Sequence, residues 1–262
     1  MPAVDAGTVA AAIGGDRAAL EAVLRAVQDD VYRLAHRMLW HPQDAEDATQ
    51  EILVKVATRL STFRGDAQVT TWVHRIAVNH LLTTRRRRME RQAMSFEAFG
   101  EDLARGLDEP CDTRGVDEDL LAEEVKVGCT QGMLLCLDRP HRIAYVLGDI
   151  LELPGDEAAT ILDISPASYR KRLQRARERI QRFMRGHCGL VDPANPCRCS
   201  RRIGTAIASG RVDPGNLLFA RRVDAHVARI ERMRDAAAVF HSHPELRAPD
   251  RIVAAVTAAL RG

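Results

Sequence analysis

Residues 155–176 read GDEAATILDISPASYRKRLQRA, and no other stretch limits the fold of this chain so tightly. Ala158 and Ala159 are small residues placed where a second helix must cross closely, and Asp163-Ile164-Ser165 supplies a turn whose one apolar side chain plugs the space between two helices. Ser165 is a good N-cap, and Pro166 follows at the first helical position, where a missing N–H costs nothing. The helix beginning there is predicted to bury Tyr169, Leu173, Ala176 and Ile180 and to expose Ser168, Arg170, Lys171, Arg172 and Arg175. A solvated amphipathic helix normally alternates sign along its outer face, whereas this face is nearly all cationic. Cap, turn and basic helix in this order predict a helix-turn-helix, whose second helix reaches base edges while arginines around it hold phosphates.

The rest of the chain is also helical in pattern. Ala, Leu and Arg are abundant and aromatic residues make up 4%, which favours helices over sheets. Val31, Leu34, Ala35, Met38 and Leu39 recur at helical spacing, and His41-Pro42 ends that helix and opens another with the stripe Ala45, Ala48, Ile52, Val56 and Leu60. Gly65 lies in a break, after which Val69, Trp72, Val73 and Ile76 form the inner face of a third helix that runs into four consecutive arginines, Arg85 to Arg88. From Glu97 to Glu124 acids far outnumber Arg105 and Arg114, so the net charge of +2 is an average over two basic regions and an acidic connector. No apolar run approaches bilayer length and the N-terminus lacks a basic n-region, so the expectation is a cytoplasmic protein without a membrane span or signal peptide.

DAEDATQEILVKVATRL (44–60) with STFRGDAQVTTWVHRIAVNHLLTTRRRR (61–88) resembles conserved region 2 of bacterial RNA polymerase sigma factors, and LLCLDRPHRIAYVLGDILELPGDEAATILDISPASYRKRLQRAR (134–177) resembles their region 4. The order and the absence of a third folded domain between them look like the extracytoplasmic-function group, and the resemblance spans roughly 29–184. It implies an all-α fold of two small helical domains joined by an acidic linker, with a helical C-terminal extension. The expected boundaries are 16–89 for the region 2-like domain, 90–120 for a flexible acidic linker, 121–186 for the helix-turn-helix domain and 187–262 for the extension.

The resemblance also implies roles for single residues. Asp44, Asp47, Gln50 and Glu51 would meet core RNA polymerase. Trp72, Arg75, Asn79, Arg85 and Arg86 would engage the promoter −10 element, where a melted base must be held as single strand. Trp72 also has the spacing of a core residue, the preferred reading, and Asn79 is the better base contact. Ser168, Arg170, Lys171, Arg172 and Arg175 would read the −35 element. The chain departs from the family at Leu82-Thr83-Thr84, where an Asp is common, and at Tyr169, where a small or β-branched residue is common.

The extension opens with HCGLVDPANPCRC (187–199), in which His187, Cys188, Cys197 and Cys199 form a donor set for zinc. Two other readings stand beside it: a redox sensor whose thiol pKa values are depressed by Arg185, Arg198, Arg201 and Arg202, and a structural loop with reduced cysteines. Cys111, Cys129 and Cys136 are scattered, and His226, His241 and His243 read as surface residues. A last helical stretch is expected over about 216–261, broken at His241-Ser242-His243-Pro244, with apolar faces (Leu217, Leu218, Val223, Val227, Ile230; Ile252, Val253, Val256, Leu260) that need a partner. Folding back on the two domains would make the extension a built-in regulator in place of a separate anti-sigma protein. No nucleophile stands near a base and an orienting group, so catalysis is not expected. The competing class is a stand-alone helix-turn-helix regulator, which would lack the first domain.

Overall fold

The computed structural model describes residues 4–65, 67–84, 95–220 and 236–260, and every regular element among them is helical. The first domain is built from α1 (Ala6–Ile13), α2 (Arg17–Leu39), α3 (Pro42–Arg59) and α4 (Val69–Thr83). Helix α1 lies ahead of the expected boundary at residue 16. Asp5 caps it through Thr8 N–H, and Val9 and Ala12 turn inward onto α2. The breaks follow local chemistry. Asp16 accepts from the N–H groups of Ala18 and Ala19, Trp40 leaves α2 with φ 72°, and Pro42 starts α3 behind a His41 cap. The stripe Ala45, Ala48, Ile52 and Val56 is fully buried between α2 and α4, as its spacing predicted.

The stretch expected as an unstructured linker contains a helix, α5 (Phe96–Ala104). Ser95 caps it by accepting from Ala98 N–H. Its apolar positions Phe96, Phe99 and Leu103 are too few to show a sustained period, yet they suffice to dock it. Phe96 and Phe99 pack on Phe183, with ring centroids 5.2 and 5.5 Å apart. Arg85 to Arg88 and the first residues of the expected linker lie outside the described residues.

The second domain comprises α6 (Glu118–Leu135), α7 (Arg139–Tyr145), a π-helical turn (Val146–Ile150), α8 (Gly155–Leu162) and α9 (Pro166–His187). The extension contributes a 3₁₀ turn at Ser200–Arg202, then α10 (Ile203–Ala208), α11 (Ala236–His241) and α12 (Arg251–Ala259). Residues 216–220, expected to be helical, are not. Their backbone N–H groups go elsewhere: Leu218, Phe219 and Ala220 donate to the Glu124 carboxylate at 2.8, 2.8 and 2.7 Å. Val223, His226, Val227 and Ile230 lie outside the described residues. Ile252, Val253 and Val256 of α12 are buried against α2 and α3, whereas Leu260 is exposed.

The two domains share one body. Helix α4 packs on α8 and α7, and α2 packs on α6 and α7. At the junction the Arg142 guanidinium, 3% exposed, donates to the carbonyls of Met38 at 2.6 Å, Leu134 at 3.0 Å and Leu137 at 3.0 Å. It thereby satisfies helix-end carbonyls from both domains with one buried cation.

Candidate nucleic-acid and polymerase interfaces

The helix-turn-helix is formed by α8 and α9. Asp163 takes the left-handed conformation, φ 54°, that ends α8, and Ser165 Oγ accepts from Ser168 N–H at 3.2 Å to start α9. Tyr169, Leu173, Ala176 and Ile180 are buried, and Ala158 and Ala159 are the close crossing points beneath them. The Tyr169 hydroxyl donates to Ala144 O at 3.3 Å, and burial pushes its pKa up to about 12. Gly148 makes room for this ring, because a Cβ there would stand 2.5 Å from Tyr169 Oη. Ser168, Arg170, Lys171 and Arg175 are exposed along the outer face and Arg172 is half-buried. Arg177, one turn farther on, is engaged by Asp149 at 2.9 Å.

Helix α4 exposes Arg75 and Asn79, while Trp72 is half-buried against Phe63 with ring centroids 5.7 Å apart. Arg85 and Arg86 lie outside the described residues. The outer face of α4 meets the turn helix of the other domain. Thr71 Oγ1 donates to Glu157 Oε1 at 2.8 Å, and Arg75 pairs with Asp163 at 3.4 Å. Arg139 of α7 closes the end of α4, donating to Leu82 O at 3.1 Å and Thr84 O at 2.6 Å.

On α3, Asp47, Gln50 and Glu51 are exposed and Asp44 is half-buried. Gln43 donates to Asp47 at 3.3 Å, and Glu51 stands 3.6 Å from His80. Glu46, on the neighbouring edge of the helix, pairs with Arg251 of α12.

The region 2 and region 4 readings are confirmed by comparison with known proteins. The family described as Sigma-70 region 2 matches residues 23–91, and that described as Sigma-70, region 4 matches residues 128–180. The ECF RNA polymerase sigma factor SigE of Mycolicibacterium smegmatis is 30% identical over 185 residues, 69% of this chain and 68% of that protein. The chain belongs to the ECF family of RNA polymerase sigma factors. SigW of Bacillus subtilis, another ECF sigma factor, is 26% identical over 65% of this chain and 91% of its own length. Among solved structures, CnrH in complex with the cytosolic domain of CnrY is similar at 25% identity and a TM-score of 0.48, covering 70% of this chain and 98% of that one.

Such a factor binds core RNA polymerase and directs it to promoters, which the stand-alone regulator reading does not account for. No helix among the described residues of this sigma factor is long and apolar enough to cross a membrane.

The Cys/His segment is arranged differently from the expected donor set. The His187 ring lies on Phe183, centroids 4.8 Å apart, and against Gly100 of α5. Among the described residues no three His, Cys, Asp or Glu side chains already stand where they would hold a metal ion. Three of the arginines expected to depress the thiol pKa values, Arg198, Arg201 and Arg202, do act in that direction, but each is engaged elsewhere and burial outweighs them. Arg201 is bidentate to Asp108, Arg202 meets Asp102 at 3.2 Å, and Arg198 donates to the carbonyls of Pro193, Asn195 and Cys197. Burial instead raises Cys188, Cys197 and Cys199, the opposite of the shift that an oxidant sensor needs.

His243 is half-buried and engaged, not a free surface residue. Its ring stands between Arg37 Nη1 at 2.6 Å and Thr130 Oγ1 at 2.9 Å, and burial holds its pKa well below 6.5. The spacing of the sequence carried no signal for this contact, since its partners lie on α2 and α6. His241 is exposed and reaches Asp149 O at 2.6 Å.

Proposed function

We propose that this sigma factor is held in a closed form by its own extension, and that promoter recognition requires the two domains to part. The observation that carries this reading is the contact of α4 with α8. Arg75 and Thr71, on the helix assigned to the −10 element, are bonded to Asp163 and Glu157, on the helix-turn-helix assigned to the −35 element. One duplex cannot be read at two separated elements by surfaces that face each other. The extension bridges the pair: Glu124 holds residues 218–220, His243 links Arg37 to Thr130, and Ala248 N–H donates to Asp29 while Arg251 meets Glu46.

In the open form, Ser168, Arg170, Lys171, Arg172 and Arg175 contact the −35 element, and Trp72, Arg75, Asn79, Arg85 and Arg86 the −10 element. Asp44, Asp47, Gln50 and Glu51 meet core polymerase, and the protein works in the cytoplasm, where that polymerase is. An extension that occupies both domains supplies in cis the restraint that a separate anti-sigma protein would supply in trans.

The test is run-off transcription with purified core polymerase. The pair Thr71→Val and Glu157→Gln, which removes the α4–α8 hydrogen bond, is expected to raise transcript yield severalfold over wild type. Unchanged yield would refute the closed-form reading. Arg172→Ala with Arg175→Ala should lower promoter affinity and reduce its salt slope by about one for each phosphate left without its arginine, with core binding intact. Charge reversal at Asp47 and Glu51 together should abolish co-elution with core polymerase while helicity is retained.

A further inference from the structure

The loop after α9 folds without helix or strand from Cys188 to Cys199, and it brings cysteines from distant parts of the chain to one place. Cys188 follows α9 directly, its N–H donating to Met184 O at 2.8 Å. Gly189 N–H then donates to Cys197 O at 3.1 Å, which returns the chain beside its own start and brings Cys197 back next to Cys188, with Cys199 two residues on. The fourth member comes from α6. Cys129 lines the same cavity as Cys188, Cys197 and Cys199, and burial pushes its thiol well up, with these three cysteines acting in the same direction. Cys136 also borders that cavity, but its thiol donates to Gly132 O at 3.5 Å and is subject to Arg142 and Glu97, not to the other thiols. Cys111 is exposed. His187 faces away from the group, toward Phe183 and Gly100.

The surroundings of the four thiols suit a ligand set. Cys188 O accepts from the backbone N–H groups of Val191 and Asp192 at 3.2 and 2.9 Å, so the chain turns tightly around its first cysteine. Arg198, Arg201, Arg202 and Lys126 lie around the cluster, and a four-thiolate zinc centre carries a net charge of −2 that such cations balance. The segment itself has few apolar residues and no regular structure, the situation in which a structural metal replaces a missing core.

We propose that Cys129, Cys188, Cys197 and Cys199 form a four-thiolate zinc site that fastens the extension to α6. The four cysteines border one cavity without already standing as a ligand set, and one step between staggered χ1 wells moves a sulfur by about 3 Å. Zinc(II) binding by four thiols releases four protons and leaves all four sulfurs as thiolates, with no change of oxidation state. The proton loss reverses the effect of burial, which favours the thiol form. The site excludes His187 and depends on Cys129, which comes from a different element.

The experiment is elemental analysis of the full chain purified without chelator, with zinc release followed by a chromogenic chelator during thiol titration. About one zinc per chain is expected, with at least a tenfold loss of affinity in Cys129→Ser and in Cys199→Ser and full retention in His187→Ala and Cys136→Ser. Because a serine variant risks misfolding, cobalt(II) substitution of the wild-type chain provides a second measure. The visible spectrum should show tetrahedral four-thiolate coordination. Loss of zinc in His187→Ala with retention in Cys129→Ser overturns the assignment, as does a three-thiolate, one-imidazole cobalt spectrum. A chain free of zinc, whether its thiols titrate freely or form a disulfide, overturns it equally.

Discussion

Gly148 and Tyr169 show how a departure from the family pattern is accommodated by one residue opposite it. Tyr169 is larger than the side chains common at its position, and it fits because the π-helical turn presents a glycine to its hydroxyl. A Cβ at residue 148 would stand 2.5 Å from Tyr169 Oη and 2.8 Å from Leu173 Cδ2. Gly148→Ala is therefore expected to cost about 1–3 kcal/mol through overpacking. Adding Tyr169→Phe should recover part of that loss by removing the nearer atom. Urea unfolding of the single and double variants measures both, and equal stability of Gly148→Ala and wild type would show that the turn yields freely. Glu124 is a second such residue. Its carboxylate accepts from three consecutive backbone N–H groups. Glu124→Gln places donors against donors there, and a loss of about 2 kcal/mol is expected in the same assay.

At the level of elements, what the sequence revealed depended on whether a pattern was local. The helix-turn-helix was legible because cap, proline, small-residue pair and buried Tyr169–Ile180 stripe all lie within one window, and each is found where its spacing placed it. Helix α3 was legible for the same reason. Helix α5 was not, because acids and a glycine dilute its three apolar side chains, and the partner that orders them, Phe183, lies far along the chain. Residues 216–220 were misread in the opposite direction: Leu217 and Leu218 suggested a helix, but a buried carboxylate on α6 takes the N–H groups that a helix would need. The thiol group was half legible. Cys188, Cys197 and Cys199 are close in sequence, whereas Cys129 joins them through the crossing of α6 and the loop. If α5 depends on its aromatic partner, Phe99→Ala should cost about 3 kcal/mol and lower helicity by about two turns in circular dichroism.

For the whole molecule, the closed arrangement is sensitive to pH through histidines, two buried and one half-buried, that are held neutral where the segments meet. His36 of α2 bonds to Gln131 of α6 at 2.7 Å, and burial, with Arg37 and His41 nearby, pushes its pKa down to about 3. His243 of the extension, between Arg37 and Thr130 and near Lys126, His36 and His241, is lowered in the same direction, and so is His74 of α4. In the unfolded chain each would titrate near 6.5. Below that pH the unfolded chain takes up protons that the folded chain does not, so stability falls as pH falls toward the lowered folded values. Each fully neutral histidine contributes a slope of up to about 1.4 kcal/mol per pH unit. Asp102, which Arg211 holds below its usual value, loses its contribution only below about pH 4, which leaves the interval from pH 7 to pH 5 to the histidines. Denaturant unfolding should therefore give a chain at least about 1 kcal/mol less stable at pH 5 than at pH 7. His243→Asn, which keeps a polar side chain between Arg37 and Thr130 but cannot titrate, should flatten this dependence by about one proton. An unaltered slope in that variant would mean that the extension is not seated on Arg37 and Thr130 in solution. Because His243 joins the extension to both domains, its protonation should loosen the closure before the domains themselves unfold, and promoter binding at constant salt should strengthen over the same pH interval.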